Sequence, residues 1–167
     1  MGKISQGVQE GRYAVIPRTV IFIIRDDSVL LIKGASTKRI WPGKYNGVGG
    51  HIEKGEDVVA AASRELKEET GLTIKQLSLC GTVIVDLEGN TGILLFVFRG
   101  GYENGELIPS KEGSLEWIPI NKVDLFPVVE DLPFLLEKVL AVEPGAPPFS
   151  ARYSYDEAGA LHIDISS

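Results

Sequence analysis

The sequence predicts a single α/β domain, and three observations predict it. Several short β-branched runs are bounded by turn residues, which is the pattern of strands. Two other stretches repeat their apolar residues at a period of about 3.6, which is the pattern of an amphipathic helix. A chain of 167 residues, 44% hydrophobic and 24% charged, is long enough for one core and too short to need a second.

Residues 1–17 contain no long apolar run and are expected to form an N-terminal extension, with the domain spanning 18–167. Residues 19–24 (TVIFII) and 29–32 (VLLI) are β-branched and apolar. Arg25-Asp26-Asp27-Ser28 between them is turn chemistry, so the pair reads as a hairpin of central strands. Residues 34–45 (GASTKRIWPGKY) are too rich in Gly, Pro and charge for regular structure, and the loop they form should wall a binding pocket.

The spacing predicts a helix over 57–70, with Glu56 and Asp57 at its positive dipole end and Gly71 stopping it. Val59, Ala62 and Leu66 form its expected apolar stripe. Residues 77–87 and 93–98 read as strands joined by Glu88-Gly89-Asn90-Thr91-Gly92, whose glycines permit positive φ. A polar loop over 99–113 leads to a strand at 115–118 and a second helix over 131–140, closed off by Pro144, Pro147 and Pro148. Residues 149–155 and 161–165 flank Asp156-Glu157-Ala158-Gly159 as a terminal hairpin. No internal repeat or low-complexity tract interrupts this order.

Composition excludes several classes of partner. A net charge of −6 argues against a broad nucleic-acid footprint, which needs clustered Lys and Arg, so no nucleic acid is expected as a partner. The single cysteine, Cys80, lies in an apolar run, allows no internal disulfide and suits a reducing compartment. No run resembles a signal peptide or a bilayer span, and Gln6 breaks the myristoylation pattern that Met1-Gly2 begins. A cytoplasmic monomer or homodimer with no membrane partner is the resulting expectation.

Chemistry concentrates in the first helix. Glu65, Glu68 and Glu69 stand at i, i+3 and i+4, on one face. Like charges at that spacing repel, so the face is either fully solvated or holds something positive. The apolar stripe beside them turns the helix onto a sheet and leaves the carboxylates at the rim, where hard cations such as Mg²⁺ prefer oxygen ligands and Mn²⁺ can substitute. Just upstream, Gly49-Gly50-His51-Ile52-Glu53-Lys54-Gly55-Glu56 supplies glycines that let backbone approach an ion or phosphate closely.

Gly50, Glu56, Arg64, Glu65, Leu66, Glu68, Glu69, Gly71 and Leu72 fit the Nudix box, GX5EX7REUXEEXGU, without a mismatch, and in this the chain resembles the Nudix hydrolases. Seven of those positions demand one residue type, a match that arises by chance roughly once in 10⁸ placements. The resemblance implies the Nudix fold, a mixed β-sheet sandwiched between helices, and Mg²⁺-dependent cleavage of a phosphoanhydride. It implies that Glu65, Glu68 and Glu69 ligate the metal with the Gly49 carbonyl, while Arg64 and Glu56 hold those carboxylates in place. The general base would be Glu68, Glu69 or Glu112. Glu112, in Ser110-Lys111-Glu112-Gly113, is a base or extra ligand on one reading and an ordinary loop acid on the other.

Softer motifs resemble the oxidised-purine nucleoside triphosphatases of that family. Gly43-Lys44-Tyr45-Asn46-Gly47 matches their Gly-Arg-Trp-Asn-Gly, which makes Asn46 either a purine reader or a turn closer. Phe126-Pro127 falls where they carry Trp-Pro, so Phe126 either stacks on a base or belongs to the core. Glu130 and Asp131 resemble their base-reading acids, although the pair lies one residue nearer Pro133 than the pattern requires. His51 stands where related enzymes carry Lys and is a phosphate contact or a plain loop residue, Trp41 packs on a base or on its own loop, and His162 reads as structural. The implied activity converts a nucleoside triphosphate, a purine one such as 8-oxo-dGTP, to monophosphate and pyrophosphate in nucleotide-pool sanitation. The alternatives are a housekeeping hydrolase of another nucleoside diphosphate-X compound and a nucleotide-binding regulator without turnover.

Overall fold

The computed structural model describes residues 6–37 and 39–166. The elements run β1 (Ala14–Arg25), β2 (Ser28–Gly34), β3 (Tyr45–Asn46), α1 (Val58–Thr70), β4 (Ser78–Asp86), β5 (Thr91–Gly101), β6 (Gly113–Pro119), α2 (Leu132–Ala141), β7 (Phe149–Tyr155) and β8 (Leu161–Ser166). The strands form one sheet in the order β3-β2-β1-β5-β4-β7-β8, with β6 also paired to β2. Hairpin pairs such as β1–β2, β4–β5 and β7–β8 are antiparallel, whereas β1–β5 and β4–β7 are parallel, so the sheet is mixed.

Alternation along β1 explains the two-sided core. Ile21 and Ile23 join Leu30, Phe98, Ala62 and Leu66 on the face covered by α1. Val20 and Phe22 point the other way, into a cluster with Val83, Val97 and the Leu132, Leu135, Leu136 and Val139 side of α2. Each helix covers one face, and the domain is the expected sheet sandwiched between helices. Cys80 is fully buried on the α2 side, where desolvation pushes its thiol above the ordinary range. No helix among the described residues is long and apolar enough to cross a membrane.

Three local readings change. Strand β1 starts at Ala14, four residues before the domain start expected from the sequence, because Ala14–Ile24 pair continuously with Thr91–Gly101 of β5; Pro17 had masked the run. Of the expected α1 stripe, Ala62 and Leu66 are buried, but Val59 is half exposed and Val58 and Ala61 pack inward in its place. Glu65 and Glu69 continue that inward row by one turn and so lean toward the protein. Finally, β3 and a short 3-10 helix at Ile120–Leu125 have no sequence signal, being two residues and barely two turns long.

Candidate active site

The first helix is held at both ends. Asp57 caps it, accepting from the Val59 and Ala60 N–H groups at 2.9 and 2.8 Å, and Gly71, at φ 80°, donates its N–H to the Lys67 carbonyl. The glycine loop before it lies against β1 as if it were another strand: Thr19 N–H donates to the Gly50 carbonyl at 2.8 Å and Ile21 N–H to that of Val48 at 2.6 Å. Only glycine allows this approach. A Cβ on Gly49 would stand 2.1 Å from the Thr19 carbonyl oxygen, and one on Gly50 would stand 2.5 Å from Glu65 Oε1.

Arg64 organises the acids. Its Nε and Nη2 grip both oxygens of Glu56, and Nη2 also donates to the His51 carbonyl at 3.1 Å. Its Nη1 faces Glu65 Oε1 at 3.0 Å and Glu68 Oε2 at 3.2 Å. Arg64, with help from the Glu53 N–H, holds the Glu56 carboxyl below its usual range, and Glu56 in turn raises the guanidinium's already high pKa. Glu69 is buried and accepts from the Gly49 N–H at 3.2 Å, whereas the Glu68 side chain is 61% exposed.

Glu65, Glu68 and Glu69 line one cleft with Gly49 and His51, and Glu112 lines the same cleft from the loop before β6. The structure therefore brings together acids 47 positions apart in the chain, 65 to 112. Their oxygens do not converge on one point: among the described residues no three acidic side chains are close enough to hold a common ion. Arg64 draws off Glu65 and Glu68, and the Gly49 N–H orients Glu69. The donor set nevertheless fits a hard divalent cation, since every ligand is an oxygen and the bare backbone of Gly50 makes room for a Glu65 carboxylate.

A second cleft, of about 530 Å³, opens beside the first and shares Arg18, Gly49 and Gly50 with it. Trp41, Asn46, Glu130, Asp131, Tyr153 and Tyr155 line it. Burial pushes the Asp131 carboxyl above its ordinary range, and burial with the nearby Asp131 does the same to Tyr153. The Tyr153 hydroxyl is close enough to feel that charge, yet it meets no partner at hydrogen-bond geometry among the described residues. Asn46 Oδ1 accepts from the Gly47 N–H at 2.7 Å, so the residue closes a turn and faces the cleft at once.

Phe126 is not among the residues lining either cleft, which favours the core side of the two readings the sequence leaves open. Backbone pairing of Tyr45 with Pro127 and Val129 draws it under the Tyr45 ring, edge-on at 5.6 Å, and it packs into the α2-side core. Arg18, Tyr153 and Tyr155 escaped sequence reasoning. The signals were faint: an Arg heading an apolar strand, and two tyrosines at the i, i+2 spacing that puts both on one face of a terminal strand. His162 pairs with Asp156 at 3.0 Å across the terminal turn, as a structural histidine would.

Residues 15–139 match the NUDIX domain model. The chain belongs to the Nudix family. An oxidized purine nucleoside triphosphate hydrolase of Danio rerio is 32% identical over 125 residues, covering 72% of this chain and 79% of that one. The MutT protein of Bacillus halodurans has the same architecture, with a TM-score of 0.76 and 25% identity over 90% of this chain and 97% of that one. A second kind of relative, the NAD-capped RNA hydrolase NudC of Pseudomonas syringae, is 27% identical over 80% of this chain but only 47% of its own length. This protein is accordingly a MutT-like Nudix pyrophosphohydrolase. Nudix hydrolases generally use divalent metal ions.

Proposed function

We propose that this Nudix enzyme converts a purine nucleoside triphosphate, oxidised guanine nucleotides such as 8-oxo-dGTP included, into the monophosphate and pyrophosphate, for nucleotide-pool sanitation. One observation carries the reading: the wide cleft and the acid-lined cleft meet at Gly49 and Gly50, so a base and its phosphate chain have places side by side. The Danio relative, named for oxidised purine triphosphates, supports the same substrate class. The protein would act as a monomer or homodimer in a reducing, cytoplasmic compartment.

Glu65, Glu68, Glu69, the Gly49 carbonyl and Glu112 would hold Mg²⁺, or Mn²⁺ in its place. When bound, the metal neutralises diphosphate oxygens and lowers the pKa of a water. The chain's own residues do the rest. Arg64, itself held by Glu56, bridges the Glu65 and Glu68 carboxylates and orients them. Glu112, Glu68 or Glu69 takes the proton of the attacking water; its oxygen bonds to phosphorus, the anhydride P–O bond breaks, and pyrophosphate leaves with that electron pair. Asn46, Glu130 and Asp131 offer donors and acceptors to the base edge, Trp41 offers a stacking surface and His51 a phosphate contact.

A second reading, hydrolysis of another nucleoside diphosphate-X compound, is favoured by the NudC relatives. A regulator without turnover is disfavoured by the intact glutamate set. Incubation with Mg²⁺ and a panel of ordinary triphosphates, 8-oxo-dGTP, NAD and ADP-ribose separates the three. Release of pyrophosphate and monophosphate from purine triphosphates is the expected result. Cleavage confined to NAD or ADP-ribose supports the second reading, and binding with no release supports the third.

A further inference from the structure

Arg18 is the charged side chain common to the wide cleft and the acid-lined cleft. It sits on β1, between the place for the base and the row of glutamates. Its backbone is pinned: the neighbouring Thr19 N–H donates to Gly50, the Ile52 N–H donates to the Pro17 carbonyl at 3.1 Å, and Arg18 itself bridges to His51. Its guanidinium makes no hydrogen bond or ion pair with any described residue, although five glutamates, Glu53, Glu65, Glu68, Glu69 and Glu112, line one of the clefts it borders.

The other cations nearby are differently placed. Arg64 spends Nε, Nη1 and Nη2 on Glu56, Glu65, Glu68 and the His51 carbonyl. Lys111 lines the acid cleft but not the wide one, and Arg39 and Lys44 line a recess beside Trp41 that Arg18, Gly49 and Glu69 also border but that lacks Glu65, Glu68 and Glu112. A guanidinium with no partner among the described residues, on a fixed strand, presents a planar fork whose geometry matches two oxygens of one phosphate.

We propose that Arg18 holds the α-phosphate, the phosphate bonded to the sugar, and thereby sets which phosphorus the glutamate face of α1 meets. This rests on the nucleotide reading given above. With the base in the wide cleft, the first phosphate to arrive at the junction is the one joined to the nucleoside, and Arg18 is the cation standing there. Arg18 acts as a positioning residue for the chain beyond it and as a direct ligand for the α-phosphate.

The test uses calorimetric binding in chelator, with no divalent ion, of 8-oxoguanosine, guanosine and adenosine against their 5′-monophosphates. Wild type is expected to bind a monophosphate about tenfold or more tighter than its nucleoside, as a charge-assisted pair provides. In Arg18→Ala that advantage disappears while nucleoside affinity is unchanged, and Arg18→Lys restores part of it; an unaltered melting temperature excludes misfolding. The proposal is overturned if Arg18→Ala keeps the wild-type preference, or if wild type binds nucleoside and monophosphate equally; either result leaves the base cleft standing. Wild type binding neither molecule would overturn the nucleotide reading, and this inference with it.

Discussion

Glu69→Gln is expected to lower kcat for nucleotide hydrolysis by about 10²–10³, the size of effect seen when one preorganised electrostatic contact is lost. Glu69 is the buried member of the three-glutamate row and accepts from the Gly49 N–H at 3.2 Å. Glutamine keeps the shape and an oxygen for that N–H, so the fold loses little while the anionic ligand disappears. Pyrophosphate release at saturating substrate, with a thermal melt as control, reads both quantities. A kcat within a factor of two of wild type would remove Glu69 from the chemistry.

Gly49→Ala is expected to destabilise the domain by about 3 kcal/mol or more and to abolish activity even where the protein stays folded. The added Cβ would stand 2.1 Å from the Thr19 carbonyl oxygen, a backbone atom in the central strand that cannot swing aside, at a φ of 154° that side chains rarely adopt. Relief requires the glycine loop to leave β1, which takes the Gly49 N–H away from Glu69 and the Gly50 carbonyl away from Thr19. Gly55→Ala is the matched control. Its φ is 95° but nothing lies within 4 Å of the new Cβ, so only the backbone penalty of about 1–2 kcal/mol applies. Urea unfolding of the two variants should separate them clearly; equal midpoints would contradict the packing argument.

These residues also mark what the sequence could and could not disclose. The helix from its Asp57 cap to its Gly71 stop and the spacing of Glu65, Glu68 and Glu69 are local patterns, written within one element. The hairpins were legible for the same reason. What failed was decided by contacts between distant segments. The inward face of α1 depends on how the helix meets the sheet, so Val59 and Val58 exchanged places. For Phe126 the sequence left stacking and core open; it lies partly buried against the α2-side core beside Tyr45, whose pairing with residues 127 and 129 no local pattern announces. Arg18 and Tyr153 reach one cleft from strands 135 positions apart, 18 to 153, and the successive pairings of β1 with β5, β5 with β4 and β4 with β7 put them there.

If the glutamate face of α1 holds divalent ions against a phosphate chain, Mn²⁺ titration of the protein, followed calorimetrically and alongside hydrolysis, reads that directly. Wild type should lose turnover in chelator and regain it with Mg²⁺ or Mn²⁺. The Glu68→Gln/Glu69→Gln variant should bind Mn²⁺ at least about tenfold more weakly and show no measurable turnover. Unchanged Mn²⁺ affinity together with wild-type hydrolysis in that variant would contradict the assignment.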